Sequence, residues 1–279
     1  MGKSLERAMR HLICPLFALN MMLLPALPAP AHEFWIDPLD FSVEANQPIE
    51  ARLRVGQDFE GPSLSYLTRN FTRFDVAIGD DITPAEGRLG QNPALVMAEH
   101  GTGLAVVIYE TTDSDLTYDE WDRFLRFAEH KDFPDIEARH LARGLPMTGF
   151  MESYSRHVKS LIAVGDGAGT DREFGLTTEL IALANPYTDD VSGGIPMRLL
   201  FEGEPRGDAQ VELWDRNPDG DVSVTVHRTD ADGEVLLPVE PGHIYMADAV
   251  ALVPVEPVTE GGPVWHSYWA SLTFEVPAQ

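Results

Sequence analysis

From residue 195 onwards the chain alternates apolar and polar side chains in short runs, and a turn signal cuts each run. Ala209, Val211 and Leu213 alternate with Gln210, Glu212 and Trp214. Asp219-Gly220 marks a hairpin, and Val222, Val224 and Val226 make the return strand. Asp230-Ala231-Asp232-Gly233 and Pro241-Gly242-His243 turn again, ahead of the runs 244–252 and 265–276. A period of two sends successive side chains to opposite faces, so this stretch can fold only as strands. Strands spaced about 8–12 residues apart predict an immunoglobulin-like or transthyretin-like β-sandwich over 195–279.

The same period governs the N-terminal part. Ile49, Ala51, Leu53 and Val55 alternate with Glu50, Arg52 and Arg54, and 71–78 and 104–109 are further strand candidates. Thr117-Tyr118-Asp119-Glu120 then fits a capping box, with Trp121, Phe124, Leu125 and Ala128 at helical spacing behind it. A second helix is expected over 135–143, closed by Gly144. The fold class is therefore mainly β. Residues 32–190 read as an N-terminal β-sandwich-like domain with a helical insertion near 117–143. The boundary to the second sandwich falls near Asn185-Pro186-Tyr187 or Ser192-Gly193-Gly194.

Residues 1–31 have the three parts of a signal peptide. Lys3, Arg7 and Arg10 are its positive end, 12–27 its apolar run, and Ala29-Pro30-Ala31 its cleavage signal. Cleavage after Ala31 makes the protein periplasmic and soluble, since no second apolar run is long enough to span a membrane. The single cysteine, Cys14, lies in that leader, so the mature chain has no disulfide and rests on core packing. A net charge of −25 repels nucleic acid and anionic lipid. It attracts cations or basic partners, and it also serves plain solubility.

Three motifs fail on context. Gly165-Asp166-Gly167-Ala168-Gly169 lacks the lysine and helix of a phosphate loop. Asp215-Arg216-Asn217-Pro218-Asp219-Gly220 matches half of a calcium loop, but position 12 is Val226, and a hairpin explains it better. Tyr154, Ser155, Arg156 and Lys159 have no ordered base and no nucleophile turn, so catalysis is not expected of them. Arg156 is expected to pair with a carboxylate or to dock the two domains.

His32-Glu33-Phe34-Trp35-Ile36 after the leader, Glu152-Ser153-Tyr154-Ser155-Arg156 with Lys159, Asn185-Pro186-Tyr187, and Thr229-Asp230-Ala231-Asp232-Gly233 form a set with the stretch from Trp265 to Phe274. With these, the chain resembles the NikM-like periplasmic proteins, a domain-of-unknown-function family labelled as associated with nickel or cobalt uptake. The resemblance implies a non-catalytic accessory protein that binds the ion or its membrane transporter. Members carry a histidine late in the strand after the Pro-Gly turn, where this chain has Ala251.

The metal candidates are His32, His266, His100 and His157. A cleaved His32 offers its α-amine and imidazole as two neutral donors near pH 7. His266 starts the last strand among aromatics, His100 precedes a buried strand, and His157 follows the Tyr-Ser-Arg motif. No two histidines have the H-x-x-x-H spacing on one predicted helix, so a site must be assembled in three dimensions. Nickel, cobalt and copper favour nitrogen donors. Two rival readings stand: an envelope interaction module without metal, and a copper-dependent oxidative enzyme with an N-terminal histidine brace.

Overall fold

A computed structural model describes residues 32–278. The predicted leader and its cleavage point lie outside the described residues. The first part of the chain gives β1 (Glu33–Pro38), β2 (Ser42–Val43), β3 (Ile49–Gly56), β4 (Ser63–Leu64), β5 (Phe71–Ile78), β6 (Asp81–Pro84), β7 (Leu95–Met97), β8 (Gly103–Thr111) and β9 (Ser114–Tyr118). Helices α1 (Trp121–His130) and α2 (Ile136–Ala142) follow, then the long β10 (Phe150–Val164). The remainder gives β11 (Thr178–Ala182), β12 (Ile195–Phe201), β13 (Glu204–Pro205), β14 (Gln210–Arg216), β15 (Val222–Arg228), β16 (Glu234–Leu237), β17 (Ile244–Pro254) and β18 (Pro263–Glu275).

The protein is mainly β and sandwich-like, as its alternation predicts. A ten-stranded sheet runs β15-β14-β17-β18-β10-β8-β5-β6, with β2 and β9 also paired to β10. Strands from both sides of residue 190 share it, joined where β10 lies parallel to β18. On one face it meets the sheet of β1, β3, β4 and β7; on the other it meets β11, β12, β13 and β16. The middle strands are therefore covered twice. In β8, Leu104, Val106 and Ile108 enter one core while Ala105, Val107 and Tyr109 enter the other. This is why that strand is apolar without interruption.

The helices pack on the β1 side of β17 and β18. Phe124 and Ile136 are fully buried there against Phe150, Trp265 and Trp269. The predicted capping box is not formed. Thr117 lies in β9 opposite Met151 of β10, and α1 begins at Trp121 with no side-chain cap at Glu120. Strand pairing has taken the backbone that the box needed. Gly144 closes α2 at φ 66°, a left-handed conformation that glycine adopts without strain. Asp219-Gly220 turns the β14–β15 hairpin, with Asn217 accepting from the Asp221 amide. No helix among the described residues is long and apolar enough to cross a membrane.

Candidate functional site

The sequence Glu152-Ser153-Tyr154-Ser155-Arg156-His157-Val158-Lys159 is polar, yet its strand is buried almost throughout. Buried polar groups are costly unless partnered, so a stretch like this marks a place where function overrides packing. Strand alternation sorts it into two faces. Ser155, His157 and Lys159 face the β11–β12 side; Glu152, Tyr154 and Arg156 face α1.

Lys159 is a structural staple. Its ammonium meets Asp171 at 2.9 Å and Glu179 at 3.1 Å, all three buried. Glu179 also accepts the amides of Phe174, Gly175 and Leu176, fixing the loop ahead of β11.

One turn of the pleat away, two predicted metal ligands come together. Ser155 Oγ lies 3.1 Å from His157 Nε2 and 3.2 Å from His266 Nε2. The pairing of β10 with β18 brings Ser153 opposite His266 and makes this meeting possible. His266 stacks on Tyr268 at 3.9 Å, and its Nε2 is 3.8 Å from the exposed Asp113. His157 Nδ1 is buried without a hydrogen bond, 3.5 Å from Glu110. Burial pushes His157 down to about 4, with His266 adding to it. Burial lowers His266 as well, against the pull of Asp113 and Asp115. Both rings are thus neutral at pH 7, the form that binds a metal. The Ser155 hydroxyl can donate to one Nε2 and accept from the other, and the two neutral imidazoles also form a nitrogen pair of the kind metal ions take.

His32 and His100 are not part of that cluster. His32 is exposed, and its carbonyl accepts from Arg156 Nη2 at 2.8 Å. Both ring nitrogens of His100 lie against carbonyls instead, Gly101 at 2.9 Å and Gln47 at 2.7 Å. Buried His140 is likewise satisfied: it bonds the Pro146 carbonyl and accepts from Trp265 Nε1. Ala251 sits opposite Tyr268 in β17, on the face that carries His266.

The other face opens to a cavity of about 480 Å³ between α1, β10 and β18. The Arg156 guanidinium sits over Trp269, 3.9 Å from the ring centre. Behind it runs a chain of donors: Trp269 Nε1 to Ser267 Oγ at 2.9 Å, Ser267 to Glu152, and Tyr118 to Glu152 at 2.7 Å. Burial pushes the Glu152 carboxyl up to about 7, and the Ser267 and Tyr118 hydrogen bonds only partly offset it. The expectation that Arg156 pairs with a carboxylate is not met. It has a carbonyl and an aromatic ring instead.

Beside the cavity lies a charge cluster that sequence reading missed. Lys131 Nζ sits 2.8 Å from Glu212, 2.9 Å from Asp248 and 3.5 Å from Glu33, all buried. Burial opposes the ammonium, but the three carboxylates outweigh it and raise its pKa. Burial lifts Glu33 to about 7 despite Lys131. The three carboxylates are close enough to hold a metal ion, but the lysine ammonium already supplies the cation. Nothing in the local sequence joins residues 33, 131, 212 and 248; the packing of β1 and the end of α1 on the paired strands β14 and β17 does.

No curated protein matches the chain. The family model described as a domain of unknown function, DUF4198, matches residues 29–252, which is most of the sequence. The chain belongs to the DUF4198 family.

Proposed function

We propose that this protein is an exported, non-catalytic binder of a transition-metal ion that serves nickel or cobalt uptake. The observation that carries the reading is the convergence of His157 and His266 on Ser155 Oγ. Two neutral imidazoles aimed at one small volume, with Asp113 at its rim, make a nitrogen-rich donor set. Imidazole donors suit nickel, copper and zinc. The resemblance to the NikM-like proteins supports nickel or cobalt as the cargo. His157 has an orphaned ring nitrogen facing Glu110, which would orient the ring as outer partners of metal ligands do. The predicted leader supports export, and the acidic surface draws cations toward the protein.

The test is calorimetric titration of the purified, exported protein with nickel, cobalt and copper. His157→Ala and His266→Ala are each expected to abolish or strongly weaken binding. A variant with one extra alanine ahead of His32 is expected to bind as the parent does. If only the extended variant loses binding, the site is the N-terminal chelate. If no metal binds the parent, the reading is overturned.

A further inference from the structure

We infer that the cavity between α1 and β10 binds a small organic anion, a carboxylate carried on a planar or apolar body. The inference is independent of the metal reading, since the cavity lies on the opposite face of β10.

Charge supports it first. The chain has 45 acidic residues against 20 Lys and Arg. Arginines in such a protein find carboxylates easily, as Arg139, Arg143, Arg198 and Arg228 do. Arg123, Arg126 and Arg156 line the cavity with Asp115 and Glu152, and among the described residues none of the three arginines is in an ion pair. Three guanidinium groups face one carboxylate, Asp115, and the Glu152 carboxyl that burial pushes up to about 7, so the concave site keeps a positive excess that draws an anion.

Geometry supports it next. Arg156 is held in place by Trp269 under its plane and by the His32 carbonyl on Nη2. Its Nη1 has no hydrogen-bond partner among the described residues. A fixed, planar fork with a free donor matches a carboxylate better than any other common anion group. Arg156 does not stand alone, because Arg123 lies over the Tyr118 ring at 5.9 Å.

The remaining wall sets the body of the ligand. Phe127, Tyr154 and Trp269 line the cavity and offer flat apolar surface. Its volume of about 480 Å³ falls within the range of roughly 300–1,000 Å³ typical of small-molecule sites. A bare inorganic anion would leave that apolar wall wet. A metal cation would meet three arginines.

The experiment is calorimetric titration of the purified protein with benzoate, 2-naphthoate, benzyl alcohol and inorganic phosphate. Both carboxylates are expected to saturate one site, with benzyl alcohol and phosphate binding much more weakly. Arg123 and Arg126 are exposed on α1, so Arg123→Gln and Arg126→Gln should leave the fold intact. Each is expected to weaken carboxylate binding by roughly tenfold, the loss of one charge-assisted hydrogen bond. Arg156→Lys keeps the charge but loses the fork, and should weaken it as well. No saturable carboxylate binding, equal binding of benzyl alcohol, preference for phosphate, or an unaffected Arg123→Gln/Arg126→Gln double variant would each overturn the inference.

Discussion

Arg156 and His157 are neighbours in sequence and serve opposite faces of one strand. The guanidinium of Arg156 lies on Trp269 beside the cavity, while the imidazole of His157 meets Ser155 and His266 on the far side. The two clusters are thus separated by the thickness of a single sheet.

Acid should reveal the buried state of His157. Its folded pKa of about 4 lies below the ordinary 6.5, because burial disfavours the charged ring. Above 6.5 both folded and unfolded chains hold it neutral. As pH falls from 6.5 toward 4, only the unfolded chain takes the proton, so stability is lost. A shift of this size corresponds to roughly 3 kcal/mol. Urea unfolding between pH 7 and 4 should show a shallower loss for His157→Gln than for the parent.

Glu152 should behave with the opposite sign. Its carboxyl is raised from 4.5 to about 7 by burial, against the hydrogen bonds of Ser267 and Tyr118. The folded protein keeps a proton that the unfolded chain releases, so this group favours folding below 4.5. That contribution is lost as pH rises through 7. Glu152→Gln cannot ionise, so relative to the parent it should gain up to roughly 3 kcal/mol between pH 4.5 and 8. Urea midpoints at the two pH values check the sign.

Lys131 is the cation that makes three buried carboxylates tolerable. Lys131→Met would leave Glu33, Glu212 and Asp248 without it. Removing one partner of a buried ion group typically costs about 3–5 kcal/mol. The loss should be smaller at pH 5 than at pH 8, since protonation relieves the orphaned carboxylates. Chemical denaturation at both values measures it.

Ala251 offers a gain-of-function test. It lies across from Tyr268, diagonal to His266, on the face where His157 points. Ala251→His would add a third imidazole to the pair. Nickel affinity, by calorimetry, should rise by roughly tenfold or more, about 1.4 kcal/mol for each factor of ten.

Local pattern carried most of the strands. The alternation of 209–213 and the Asp219-Gly220 turn became β14 and its hairpin, and Pro241-Gly242 turns the chain into β17. The capping box misled because Thr117 and Glu120 match it in sequence, while the neighbouring β10 claims Thr117. His157 and His266 were legible as residues. Their meeting was not, since it depends on a parallel pairing across more than a hundred residues. The cavity left a fainter signal: a polar run, Glu152 to Lys159, inside what is otherwise a core strand. Arg123 and Arg126 lie on the exposed face of α1, where nothing in the helix itself shows the cavity they line.

The parallel seam also sets the order of assembly. Met151 to Ser160 of β10 register with Pro263 to Thr273 of β18, so the middle of the large sheet stays open until β18 arrives. Pairings this distant in sequence are slow to form, because a long loop must close before any contact rewards it. His266 completes the histidine pair on one face, and Ser267 with Trp269 the cavity wall on the other, so neither arrangement forms on a chain that stops short of β18. A chain cut before β18 would therefore lack both side-chain clusters at once, whichever face is probed.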